Sequence, residues 1–129
     1  MQVVNLGNSM ITEQEAEKFA NDWIVAWNDH DLNRVMAHYK DDVEYFSIFV
    51  AKLTNDSSGR ITGKENVREY LSKGLVAYPE LKFNFINVFM GVSSITLLYE
   101  SVNNLIAAEV FELDSQGLVK RVQCHYAKK

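Results

Sequence analysis

The apolar residues of this chain change period near Pro79, and that change limits the fold more than any other feature. Before it they recur at three- and four-residue steps, as on a helix face; after it they alternate, as on a strand. Thr12-Glu13-Gln14-Glu15 has the pattern of a capping box and opens a helix with Ala16, Phe19, Ala20, Trp23 and Trp27 on one face. Asn28-Asp29-His30 breaks it. Asp31 then caps a shorter helix whose inner face is Leu32, Val35, Met36 and Tyr39. Asp41-Asp42 reads as a turn, residues 43–50 as a strand, and residues 51–61, built around Asn55-Asp56-Ser57-Ser58-Gly59, as a loop. Thr62-Gly63-Lys64-Glu65 is a second capping-box pattern. The helix after it carries Val67, Tyr70, Leu71, Leu75 and Val76 and stops before Pro79.

Beyond Pro79, Phe83, Phe85 and Phe89 alternate with other residues, and so do Ile95, Leu97 and Tyr99. Residues 105–113 and 118–126 are two further runs, separated by the turn Asp114-Ser115-Gln116-Gly117. Consecutive strands with short turns predict an antiparallel meander. The expected class is α+β, with three helices packed against a strongly curved, mostly antiparallel sheet. Residues 1–11 read as a flexible N-terminal arm and residues 12–129 as one domain.

Composition excludes several functions. Thirteen basic against seventeen acidic residues give a net charge of −4, with no Lys/Arg cluster, so no nucleic-acid partner is expected. No window reaches the roughly 20 apolar residues that span a bilayer, so no membrane partner is expected. The start lacks a basic n-region and a long apolar run, which argues against a signal peptide. The lone Cys124 has no intramolecular partner and suits a reducing, cytoplasmic location.

WNDHDL (27–32), HYKDDVEY (38–45), TGKENVREYL (62–71), PELKF (79–83), AEVFELDSQG (108–117) and VQCHY (122–126), in this order and spacing, resemble the SnoaL-like branch of the NTF2-like superfamily. The resemblance covers about residues 12–127. It implies a cone with a hollow, apolar interior, but it marks a scaffold and not one chemistry. Ketosteroid isomerase, a relative in this superfamily, has a helix-1 tyrosine, an aspartate base and a protonated aspartic acid. By pattern these fall on Trp23, Ser47 and Glu109. An indole is no phenol and a serine no carboxylate, so only Glu109 keeps the chemistry.

Glu109 shares a strand face with Ala107, Phe111 and Leu113, the more apolar face of that run, which should line the cone. Two uses stand open. It is an acid–base or ligand-binding group with a raised pKa, or a structural carboxyl tied to Tyr45 or Tyr99. Trp23, Trp27, Tyr45, Ser47, Tyr70, Tyr99, Phe111, Cys124 and Tyr126 are the expected pocket residues, with ordinary core packing as the alternative. By alternation Val119, Arg121, Gln123 and His125 face outward. Thr96, Leu98, Ala108 and Val110 join them in a semi-apolar outer patch, and a homodimer through this face is expected. His30, His38 and His125 show no ligand spacing, so neither metal nor cofactor is expected. The functional expectation is a small, largely apolar organic molecule bound inside the cone, with scope for cofactor-independent acid–base catalysis. A ligand carrier or sensor, or an interaction module with a filled interior, are the alternatives.

Overall fold

Helix α1, Glu13–Asn28, begins where both halves of the capping box form: Glu15 N donates to Thr12 Oγ1 at 3.1 Å and Thr12 N to Glu15 Oε1 at 3.2 Å. Its buried face is Ala16, Phe19, Ala20, Trp23, Ile24, Ala26 and Trp27. His30, in the left-handed region at φ 56°, turns the chain into α2, Leu32–Met36, capped by Asp31. The computed structural model describes residues 10–129, so most of the expected arm lies outside the described residues.

Strand β1, Tyr39–Phe46, contains Asp41 and Asp42, which were expected to be a turn. Both are exposed, in a stretch where the register of β1 shifts between Tyr39 and Glu44. The shift loosens the ladder enough for two charged residues to stay in water. The next expectation also fails. Residues 48–50 are not strand but the first turn of a fourth helix, α3, Ile48–Thr54. Ser47 caps it, its Oγ accepting from Phe49 N at 3.2 Å, and Asn55 ends it at φ 56°. The loop is therefore only residues 55–59. Here Gly59 has φ +59°, and a Cβ on it would stand 2.7 Å from Ser47 O. Only glycine lets the chain return this closely to β2, Arg60–Thr62.

Helix α4, Lys64–Ala77, is capped by Gly63 with no side-chain hydrogen bond, so the expected Thr62 box does not form. Thr62 instead remains in β2, paired with Glu44. Strands β3, Asn84–Met90, β4, Ser94–Glu100, β5, Leu105–Leu113, and β6, Val119–Lys128, complete a six-stranded sheet in the order β2-β1-β6-β5-β4-β3. All neighbours are antiparallel except β1 and β6, which run parallel. Register shifts lie between Tyr39 and Glu44, Phe85 and Asn87, and Glu112 and Leu113. Such irregularities bend strands, and here they accompany a strongly curved sheet. Four helices among the described residues and this sheet make the α+β cone.

The concave face carries Tyr45, Ile95, Leu97, Tyr99, Ala107, Glu109, Phe111, Val122 and Cys124, all buried. The convex face carries a row that crosses five strands by register: Phe46, Gln123, Val110, Thr96 and Phe89. Val119 is not on that face. It is fully buried, because the shift at Glu112/Leu113 changes the parity of β6 between Val119 and Arg121. His125 is exposed, with Nδ1 3.2 Å from Ala108 O. Among the described residues no helix is long and apolar enough to cross a membrane.

Candidate functional site

Curvature opens a cavity of about 640 Å³ between the concave sheet face and helices α1, α3 and α4. That is within the roughly 300–1,000 Å³ range of small-molecule sites. Trp23 and Trp27 line it from α1, Tyr39 and Tyr45 from β1, Tyr70 and Leu71 from α4, and Tyr99, Glu109 and Tyr126 from the sheet. Phe83, in the connection before β3, stacks on Trp23 with centroids 5.8 Å apart and closes one wall.

Glu109 is 3% exposed and sits in a cross-strand row between Leu97 and Cys124. Tyr99 Oη donates to its Oε1 at 2.7 Å. Desolvation disfavours the carboxylate and pushes the pKa up to about 7; hydrogen bonds from Tyr99 and Cys124 pull it back, less strongly. Glu109 thus has a tyrosine partner and also faces the cavity.

The phenols behave differently. Burial raises Tyr39, Tyr45 and Tyr99 well above the ordinary range, and it raises Tyr126 and Tyr70 too. Burial also raises the Cys124 thiol, which leaves it protonated and a poor nucleophile. Near neutrality Glu109 is the lining carboxyl that titrates, and the tyrosines are neutral hydrogen-bonding groups. Trp23 Nε1 donates to Tyr39 Oη at 3.3 Å, while the buried Trp27 Nε1 has no partner among the described residues.

Three of the expected pocket residues stand behind the lining. Phe111 is fully buried beneath α1, 4.8 Å from Phe19 and 5.4 Å from Trp23 between ring centroids. Ser47 is buried as the α3 cap, with its hydroxyl beside those of Tyr70 and Tyr126. Cys124 lies next to Glu109 across the strands. Alternation placed Phe111 and Cys124 on the inward side, and the ketosteroid isomerase pattern pointed to Ser47, but neither could say how deep each would lie.

Other lining residues were not foreseen. Tyr39 was assigned to a helix face and instead begins β1. Phe49, Lys52 and Leu53 line the cavity from α3, and Lys73 and Gly74 from α4. Ser47 followed by an apolar run and then Asn55 was the available signal for α3. Away from the cavity, His38 Nε2 lies 2.6 Å from Asp22 Oδ2 and Arg34 pairs with Asp22 Oδ1, tying α1 to the α2 region. The Arg34 hydrogen bond chiefly holds the Asp22 pKa down. Among the described residues no three His, Cys, Asp or Glu side chains are grouped to hold a metal ion.

The family model for the SnoaL-like domain matches residues 20–101. A SnoaL-like protein of unknown function from Burkholderia thailandensis superposes with a TM-score of 0.89 at 36% identity, over 92% of this chain and 98% of that one. An NTF2-like protein of unknown function from Burkholderia xenovorans gives 0.72 at 16% identity, over 91% and 86%. A protein with a ketosteroid isomerase-like fold from Catenulispora acidiphila, solved with trimethylamine, gives 0.66 at 11% identity, over 85% of each chain. Comparison with curated proteins finds no match. Together, a family model spanning well over half of the residues and a relative more than a third identical along nearly the whole length place this chain in the SnoaL-like domain family, with the NTF2-like fold.

Proposed function

We propose that the cone binds a small, largely apolar organic molecule and that Glu109 acts on it as a cofactor-independent general acid or base. The observation that carries this reading is the buried Glu109 carboxyl on the wall of a largely apolar cavity rich in aromatic residues, with a pKa of about 7. Protonated, it donates a hydrogen bond or a proton to a ligand carbonyl; ionised, it takes a proton from an adjacent carbon. The surrounding phenols stay protonated and supply further hydrogen bonds to an oxygen that gains charge. The Trp27 N–H, which has no partner among the described residues, offers one more donor to a ligand that reaches it. A location in a reducing compartment accords with the lone, buried Cys124.

A carrier without turnover is the second reading, because the lining holds one titrating carboxyl where acid–base enzymes commonly use two groups. The chain's two tryptophans both line the cavity, so their fluorescence reports occupancy. Cyclic ketones and enones should quench it saturably. Glu109→Gln keeps the side chain's shape and removes its titration. On the enzyme reading it abolishes conversion of whichever compound is turned over and leaves quenching intact. On the carrier reading it changes affinity alone. Absence of saturable quenching across such a panel would count against both.

The proposal includes a twofold homodimer packed through the convex face. The row from Phe46 to Phe89 is semi-apolar, and Phe89 is 51% exposed. Light scattering at micromolar concentration should give twice the chain mass of 14.8 kDa. A purely monomeric species would refute it.

A further inference from the structure

The charges on the cavity wall are segregated by depth. At the inner end stand Glu109, Tyr99 and Trp23, each no more than 3% exposed. At the outer end stand exposed residues of separate elements: Lys52 and Leu53 from α3, Lys73 and Ala77 from α4, and Asn103 from the β4–β5 turn. Lys52 and Lys73 are the two cationic residues of the lining, and among the described residues its one carboxylate, Glu109, stands at the inner end. This runs against the sign of the whole chain, whose net charge is −4.

Neither lysine is strongly engaged. The Lys52 ammonium rests 5.6 Å from the Phe49 ring centroid. Lys73 meets Glu69 at 4.0 Å, with both side chains exposed, a weak arrangement. Two ammonium groups held only by such weak contacts raise the local concentration of anions at the opening. The inner end has the opposite preference. A second negative charge beside a buried carboxyl would be repelled in a poorly solvated space, so a neutral polar group belongs there.

We infer that the ligand is an amphipathic organic anion: its apolar body fills the cavity with a neutral polar atom toward Glu109, and its carboxylate lies at the mouth beside Lys52 and Lys73. The inference deepens the proposed ligand-binding role and rests on it.

Three probes with one skeleton test it: naphthalene-2-carboxylate, naphthalene-2-carboxamide and 2-(aminomethyl)naphthalene, the last a cation at neutral pH. Calorimetric titration should give the order carboxylate, carboxamide, ammonium, with the carboxylate about five- to tenfold tighter than the carboxamide at low salt. The preference should shrink at about 0.5 M salt, where charges are screened within a few ångströms. Lys52→Met with Lys73→Met should erase it, and circular dichroism with thermal unfolding verifies that the double variant is folded. Equal affinities of the three probes, a preference for the ammonium, or a carboxylate preference that survives the double substitution would each overturn the inference while leaving the cavity as a ligand site. If none of the three binds, the cavity reading falls and takes this inference with it.

Discussion

Glu109→Gln is expected to make the protein more stable than the native chain at pH 8, and no more stable at pH 4. The Glu109 carboxyl titrates near 4.5 in the unfolded chain and at about 7 in the folded one. Below the first value it is protonated in both states and favours neither. Between the two values the unfolded chain releases a proton that the folded chain retains, so stability falls as pH rises. Above about 7 the folded protein carries an ionised group in a poorly solvated place, and the loss is complete. The interval corresponds to roughly 3 kcal/mol. Glutamine keeps an oxygen to accept from Tyr99 and has no proton to lose, so this part of the pH dependence vanishes. Thermal unfolding from pH 4 to 9 reads the difference directly. Asp22, whose pKa is depressed, contributes equally to both proteins and cancels. Parallel profiles would mean that Glu109 is not desolvated.

Phe111→Ala should cost about 3–5 kcal/mol in denaturant unfolding, the usual range for emptying a large aromatic site in a core. Phe111 is fully buried, with Phe19 and Trp23 packed on it edge to face, and the backbones on both sides are held by the sheet and α1. The gap cannot easily collapse. Leu53→Ala, at a rim position 65% exposed, should stay within about 0.5 kcal/mol. The contrast separates the layer that supports the cavity from the layer that meets the ligand. Losses below about 1 kcal/mol at Phe111 would place it on a yielding surface and not beneath a rigid floor.

The parts of this fold that could be read in the sequence are those where local and long-range preferences agree. The Thr12 box, the Ala16–Trp27 stripe and the alternation around Tyr99 and Glu109 each point one way, and the structure follows them. The errors fall where two preferences compete. Aromatic and β-branched residues continue from Val43 through Val50, but the Ser47 hydroxyl caps a helix and wins. Thr62 has a partner for helix capping in Glu65 and a place in β2 beside Glu44, and the ladder wins. Val119 was assigned to the outer face because strict alternation was assumed, and one register shift reverses it. The site divides in the same way. Glu109 was visible because it breaks an apolar face. Lys52, Lys73 and Tyr39 were not, since their relation to the cavity depends on how α3, α4 and β1 come together.

The most direct test of the account is the ¹³C titration of the Glu109 side-chain carboxyl by NMR, with Glu109→Gln to assign the resonance, in the free protein and with the cavity saturated by naphthalene-2-carboxamide. The account predicts a free midpoint near 7 and a clear displacement of that midpoint when the probe occupies the cavity. A midpoint near the ordinary 4.5, unmoved by a probe that binds, would mean that Glu109 is solvated and remote from the ligand, and would contradict it.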